Sequence, residues 1–142
     1  MASSVTLLII LSSCEKSSST VVQQSDRNTY LETSGKKFDE SEFSKWMSKA
    51  DQQIAYERRE KDTYFAYTEG RNQNGFQQFR HVVQPLPVES HSEWGVYWGL
   101  DTEEFYLVDL KLQRAGFKRY NLQVFEDSAG NSFHQATWLK KR

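Results

Sequence analysis

Phe38-Asp-Glu-Ser-Glu-Phe43 and Leu100-Asp-Thr-Glu-Glu-Phe105 are the two stretches that decide the fold. In each copy an aspartate is followed three residues later by a glutamate. An aspartate before a helix accepts hydrogen bonds from free N–H groups of the first turn, and the glutamate reaches back to the N–H of the aspartate. The pattern therefore predicts one helix that begins after Asp39, with Glu42 completing the cap. It predicts a second helix after Asp101, with Glu104 in the same role.

Apolar side chains follow both helix starts at spacings of three and four, which is typical of one buried helix face. In the first helix they are Phe43, Trp46, Met47 and Ala50. In the second helix they are Phe105, Val108 and Leu112, with Leu107 and Leu110 widening the stripe. Gly116 is predicted to end the second helix, because glycine accepts the left-handed conformation common just after a helix.

A hairpin pattern follows each predicted helix, and a further strand precedes the second one. The expected strands are 63–67, 76–83, 93–98, 117–127 and 133–139, with turns at 69–75 and 128–131. The repeated unit is strand, helix, strand, strand. The sequence thus predicts an α+β fold of two such repeats, residues 36–87 and 92–142, packed with pseudo-twofold symmetry into an antiparallel sheet with two helices.

The N-terminal segment is the least polar part of the chain. Its apolar run, residues 5–11, is too short to span a bilayer and is typical of a secretory signal. Leu11-Ser-Ser-Cys14 resembles the bacterial lipobox, although no Lys or Arg occurs in the first ten residues. The resemblance implies that residues 1–13 are a lipoprotein-type signal peptide and that Cys14 carries the lipid.

Residues 14–35 are dominated by Ser, Thr, Gln, Asn and Asp, a composition that predicts a disordered tether. Within it, Tyr30-Leu31 is apolar enough to start a short strand. Glu15 follows the cysteine where an aspartate would favour the inner membrane. We therefore expect an extracytoplasmic protein anchored in a membrane, on the periplasmic side of the outer membrane, with a secreted protein as the alternative.

The second copy resembles a known family, the bacterial tandem repeat domain of type one. The resemblance is carried by Trp98-Gly-Leu-Asp-Thr-Glu-Glu-Phe105, Leu112-Gln-Arg-Ala-Gly-Phe117 and Asn131-Ser-Phe-His-Gln-Ala-Thr-Trp138. It covers residues 94–142 well and residues 38–84 more loosely. It implies an exported α+β repeat module of secreted bacterial proteins, which in some of them lies beside a serine-hydrolase domain and has no known activity of its own.

Composition excludes several functional classes. The chain has 142 residues with 18 Lys plus Arg against 19 Asp plus Glu, a net charge of −1, so no basic surface indicates a nucleic-acid partner. A single cysteine excludes an intrachain disulfide and a multi-cysteine zinc site.

No catalytic motif, cofactor motif or metal site is predicted. Gly-x-Ser-x-Gly is absent, and His81, His91 and His134 have no metal-ligand spacing. Ser90 and His91 are predicted to form a solvated turn rather than a nucleophile–base pair, because adjacent residues of an extended chain point to opposite faces.

Trp94, Tyr97 and Trp98 are the candidate ligand residues. On a strand the two tryptophans share one face and Tyr97 lies on the other. Core packing is favoured, and an open platform that stacks on sugar rings is the alternative. The expected function is a non-catalytic binding module whose partner is an unknown protein or polysaccharide. Alternatives are carbohydrate or cell-wall binding through the platform, an accessory domain related to secreted serine hydrolases, and an enzyme with its site between the repeats.

Overall fold

The computed structural model describes residues 30–32 and 37–142. The described chain has the predicted α+β fold, with two α-helices and antiparallel sheets. Its elements are β1 (Tyr30–Glu32), α1 (Lys49–Glu57), β2 (Thr63–Gln73), β3 (Phe76–Pro85), β4 (His91–Leu100), α2 (Thr102–Arg114), β5 (Lys118–Glu126) and β6 (Ser132–Lys141).

The strands form a central sheet and a separate hairpin. The three long strands of the central sheet have the order β5-β6-β4, with the short β1 beside β5, and β2 pairs with β3 in the hairpin. β1 lies inside the predicted tether 14–35, at Tyr30-Leu31, where the sequence allows a short strand, and its three residues pair with Asn121, Leu122 and Gln123. The predicted signal peptide 1–13, Cys14 and the other tether residues lie outside the described part of the chain.

The central sheet is covered on both faces. Side chains of β6 alternate, so that Thr137 and Leu139 point towards the hairpin whereas Ala136 and Trp138 point towards α2. Two apolar clusters result, one between the sheet and the hairpin with α1, the other between the sheet and α2.

The second helix packs on the sheet through the predicted residues Phe105, Val108 and Leu112. The predicted widening of this stripe is wrong, because Leu107 and Leu110 are 64% and 47% exposed. At about 100° per residue both lie on the side of the helix opposite Phe105.

A row of buried polar side chains joins the sheet to the backbone of β2. The Gln123 carboxamide accepts from the Gly70 N–H (2.9 Å) and donates to the Gly70 carbonyl (3.1 Å). Asn121 donates to the Ala66 carbonyl (2.7 Å), and Thr137 donates to the Phe65 carbonyl (2.9 Å). These bonds satisfy backbone groups that water cannot reach, and they fix the position of the hairpin on the sheet.

The predicted first helix is wrong in its position. Asp39 and Glu42 do form a capping box, but it opens only a short 3-10 helix, Glu40–Glu42. The α-helix begins later, where the Ser48 hydroxyl accepts from the Asp51 N–H (3.0 Å). The predicted stripe Phe43, Trp46, Met47 and Ala50 is therefore not a helix face.

The segment 43–47 lies along the outer edge of β3 instead. The Met47 N–H donates to the Phe79 carbonyl (2.8 Å), and the Phe79 N–H donates back to the Met47 carbonyl (2.7 Å). The Ser44 N–H donates to the His81 carbonyl (2.9 Å). The unpaired edge of β3 thus supplies the partners that a helix would have found within itself, which a local sequence pattern does not show.

The second helix begins after Asp101 and ends before Gly116, as the sequence predicts. Asp101 is the N-cap, with reciprocal bonds of 2.8 and 3.0 Å to Glu104. Gly116, at φ +99°, follows the last turn in the left-handed region. The segment 43–47 lies beside β3, and β4 lies beside β6. That the two halves are repeats of one unit stays a prediction, as does their superposition about a twofold axis.

The first hairpin is longer than predicted. β2 continues through the expected turn 69–75 as far as Gln73, and the reversal occurs at Asn74 and Gly75. Both residues have positive φ, 52° and 85°, which the tight two-residue connection of a hairpin requires. The extension brings Glu69 and Arg71 onto paired strands, where they face Arg80 and Gln78.

Candidate functional site

The two tryptophans of the predicted aromatic platform on β4 are buried, and Tyr97 is half-buried. Trp94 is 2% and Trp98 8% exposed, and the Tyr56 ring packs against both, with centroids 5.7 and 6.1 Å away. Tyr97 lies on the opposite face, edge-on to Trp138 at 5.8 Å, where burial raises its pKa to about 12. Trp94 and Trp98 therefore lie in the core, as the favoured prediction has it, whereas ligand binding at the half-buried Tyr97 stays a prediction.

A different aromatic surface lies on the outer face of the hairpin. Cross-strand pairing places Arg71 opposite Gln78. The neighbouring Gly70–Phe79 pair points the other way, into the core. We call this surface the arginine–tryptophan face; it consists of Phe43, Trp46, Arg71, Gln78 and Arg80.

Two guanidinium groups stack on the aromatic rings of this face. The Arg71 Cζ lies 4.1 Å from the centroid of the Trp46 ring, and the Arg80 Cζ lies 4.6 Å from the same ring. Arg80 also lies 3.9 Å from the Phe43 ring. Such contacts contribute about 0.5–2 kcal/mol each. They hold both planar cations in fixed orientations, and the extended segment 43–47 supplies both rings.

The two arginines differ in how their charge is balanced. Arg80 is paired with Glu69 at 2.9 Å and also with Glu40, whose carboxyl pKa Arg80 lowers by hydrogen bonding and charge. Arg71 donates only from Nε, to the Gln78 Oε1 at 3.0 Å. Within residues 37–142 no carboxylate forms an ion pair with Arg71. Its two terminal nitrogens are neither bonded nor buried.

Arg71, Trp46 and Gln78 each have unpaired hydrogen-bond donors. The Trp46 indole N–H and the Gln78 side-chain NH₂ are accessible and have no acceptor in the described part of the chain. The Gln78 Oε1 is already engaged by Arg71, and the neighbouring Glu69 carboxylate is paired with Arg80. A planar guanidinium with unpaired N–H groups matches the geometry of a carboxylate or a phosphate. The arrangement can therefore hold an oxyanion.

His81 is a structural residue. Its Nδ1 lies 2.8 Å from the Gln52 Oε1, and its ring stacks on Phe65 at 4.0 Å. Burial lowers the pKa of His81 to about 4, so the ring is neutral at pH 7. The Gln52 Nε2 and the Thr68 Oγ1 beside it are buried without a partner among the described residues.

Ser90 lies in the predicted turn, but the Ser90 and His91 side chains contact each other, which the opposite faces of an extended chain would not allow. The Ser90 Oγ lies 2.9 Å from the His91 Nδ1. The pair is possible because both backbone N–H groups bond to the Pro87 carbonyl, which curls the chain into a turn. No acidic side chain of residues 37–142 pairs with the ring, so the orienting group of a catalytic triad is missing from the described chain.

The described residues, 30–32 and 37–142, include no helix long and apolar enough to cross a membrane. In the same residues no group of three His, Cys, Asp or Glu side chains could hold a metal ion. No family model, curated protein or solved structure matches the chain. The resemblance to the bacterial tandem repeat domain therefore stays a prediction. We infer the function from the geometry of the arginine–tryptophan face.

Proposed function

We propose that this protein is a non-catalytic binding module whose arginine–tryptophan face binds an anionic group of its ligand. One observation carries the proposal: the polar groups of Arg71, Trp46 and Gln78 that are left unpaired are donors, and Arg71 forms no ion pair within residues 37–142. A carboxylate or phosphate would accept two parallel bonds from the guanidinium while the indole keeps the plane of Arg71 fixed. Arg80 serves as support, because its charge is already balanced.

In this proposal the module is exported and works at a membrane. The lipobox-like Leu11-Ser-Ser-Cys14 supports lipid attachment to Cys14 and a place on the periplasmic side of the outer membrane, and secretion is the alternative. A Cys14→Ser chain expressed in a bacterial host should lose partitioning into a Triton X-114 detergent phase. Partitioning that persists in this variant would contradict lipid anchoring and leave the anion site unaffected.

The anion site is tested by NMR on the ¹⁵N-labelled chain. Addition of sodium acetate or sodium phosphate, against sodium chloride at equal ionic strength, should shift the Trp46 indole and Arg71 Nε–H signals in a saturable manner. The variant Arg71→Gln should abolish saturation, whereas Arg58→Gln, at an exposed arginine outside the face, should bind like the parent. Equal effects of chloride and the oxyanions would overturn the proposal.

The ligand class is tested with three polymers. Polyglutamate and polygalacturonate carry carboxylates on a peptide and on a polysaccharide, and dextran is a neutral polysaccharide. We expect binding to the carboxylated polymers and none to dextran, since Trp46 is occupied by guanidinium groups. The exposed Phe76, paired with Gln73 two positions beyond Arg71 on the same hairpin face, supplies an apolar contact beside the charge and favours a ligand with a ring or aliphatic surface. Binding to dextran that survives Arg71→Gln would favour a carbohydrate site elsewhere.

A further inference from the structure

The outer face of α2 has three exposed apolar side chains. Tyr106, Leu107 and Leu110 are 64%, 64% and 47% exposed. Full burial of one such side chain is worth about 1.5–3 kcal/mol, so a helix that leaves three of them in water has a surface to bury against a partner.

The rotation of α2 is fixed from its inner side. Phe105 is 4% exposed in the cluster under the helix. Asp109 accepts from the Trp138 indole N–H (2.9 Å) and from Arg119 (2.9 Å). These contacts prevent the helix from turning its outer residues inwards. Within residues 37–142 nothing covers Tyr106, Leu107 and Leu110.

The exposed stripe is complementary to itself. Spacings of four, three and four residues, typical of the seam of a coiled coil, separate four side chains on this face: Glu103, Leu107, Leu110 and Arg114. In an antiparallel pair related by a twofold axis, Leu107 of one copy lies level with Leu110 of the other. The same axis places Glu103 level with Arg114, because both pairs are centred on the same point of the helix. Neither Glu103 nor Arg114 forms an ion pair within residues 37–142.

We propose that the outer face of α2 is an interface with a second copy of this chain, joined as an antiparallel helix pair. Two Leu107–Leu110 contacts form its centre and two Glu103–Arg114 ion pairs close its ends, as a twofold interface requires. A single helix of about 20 Å makes a small contact, which is typical of a reversible dimer. The arginine–tryptophan face lies on the hairpin, across the central sheet from α2, so each copy keeps it open.

Sedimentation velocity from micromolar to millimolar concentration tests the dimer. The full chain carries Cys14→Ser, which excludes lipid and intermolecular disulfides. We expect a concentration-dependent shift from monomer to dimer, and Leu107→Glu should remain monomeric throughout. The matched control is Ile54→Glu, at an apolar residue of α1 that is 45% exposed, which should dimerise like the parent.

Charge reversal tests the orientation. Glu103→Arg and Arg114→Glu should each weaken the dimer about tenfold, since each change replaces two attractive pairs by two repulsive ones. The double variant should restore the dimer to within about threefold of the parent. A parent that is monomeric at all concentrations, or a dimer that Leu107→Glu leaves intact, would overturn the proposal. A monomer that binds phosphatidylglycerol vesicles through Leu107 would assign the face to lipid instead.

Discussion

Asp39 and Asp101 carry the same capping motif, yet one opens a single turn and the other opens a helix of 13 residues. After Asp101 the chain places Phe105 and its neighbours on the central sheet, and tertiary burial stabilises the helix. After Asp39 the backbone finds the unpaired edge of β3 and becomes extended. The comparison teaches that a cap permits a helix, whereas packing decides whether the helix continues.

This difference determines where the aromatic side chains lie. A helix after Asp39 would have turned Phe43 and Trp46 into the core. The extended segment instead places them on the outer face of the hairpin, where Arg71 and Arg80 stack on them. The arginine–tryptophan face thus forms because the segment 43–47 pairs with the edge of β3.

The largest expected effect concerns a strand glycine in each half. An added Cβ at Gly70 would lie 2.6 Å from Phe125 Cε1 and 2.9 Å from Phe79, whereas at Gly95 the nearest atom, on Leu112, is 3.9 Å away. Gly70→Ala should lower the free energy of unfolding by about 3 kcal/mol, because two buried rings must shift. Gly95→Ala should change it by less than about 1 kcal/mol. Urea denaturation measures both, and equal losses would show that β2 does not approach the sheet so closely.

The extended segment itself is tested at Met47. Met47→Pro removes the N–H that donates to the Phe79 carbonyl and leaves that acceptor unpaired. We expect a loss of about 2 kcal/mol in the free energy of unfolding. The control Met47→Leu keeps the N–H and should cost less than about 1 kcal/mol. If both variants unfold at the same urea concentration, the bridge to β3 is not present in solution.

The acid stability of the first half depends on His81. Burial lowers its folded pKa to about 4, below the usual 6.5 of the unfolded chain. Between these values the unfolded state binds the extra proton, so stability should decrease as pH falls from about 6.5 to about 4. His81→Gln should flatten most of this part of the plot of urea midpoint against pH. His91→Gln should flatten it less, because burial and the nearby Lys141 also lower the pKa of the less buried His91. A slope in His81→Gln as steep as that of the parent would contradict the assignment.

The smallest expected effect on the free energy of unfolding concerns the helix caps Asp39 and Asp101. Asp101→Ala should lower the free energy of unfolding by about 1 kcal/mol, and so should Ser48→Ala, which removes the actual cap of α1. Asp39→Ala should cost only a few tenths of a kcal/mol, because its turn is short and exposed. Thermal denaturation of the three variants measures the difference, and an Asp39 effect as large as that of Asp101 would favour a longer first helix.

Short sequence patterns predict the structural features that depend on residues close together in the chain. The Asp101 cap, the Gly116 end of α2 and the α+β class follow from short patterns, and the structure shows them. The position of α1 did not follow, because it depends on the edge of β3, some 30 residues away in the chain. The buried amides Asn121 and Gln123 were missed for the same reason, since their partners lie on β2.

The candidate site was not predicted as such. A cluster of Trp and Tyr on one strand indicates either a buried core or an exposed binding platform. The sequence does not show whether the hairpin and α1 cover that face of the strand, and this cover decides between the two. The sequence pattern predicts Trp46 on a buried helix face, and no signal in the sequence pairs it with Arg71. One weak signal was available: Glu69, Arg71 and Arg80 become cross-strand neighbours of the site once the turn is placed at Asn74-Gly75.

Acrylamide quenching of tryptophan fluorescence tests the central claim most directly, because Trp46 alone among the four tryptophans is placed at the surface. Trp94, Trp98 and Trp138 are 2%, 8% and 0% exposed. We expect one fraction of the tryptophan fluorescence to be readily quenched in the parent. This fraction should be absent from Trp46→Phe and unchanged in Trp94→Phe. A quenchable fraction that survives in Trp46→Phe and disappears in Trp94→Phe would contradict the account and return the aromatic surface to β4.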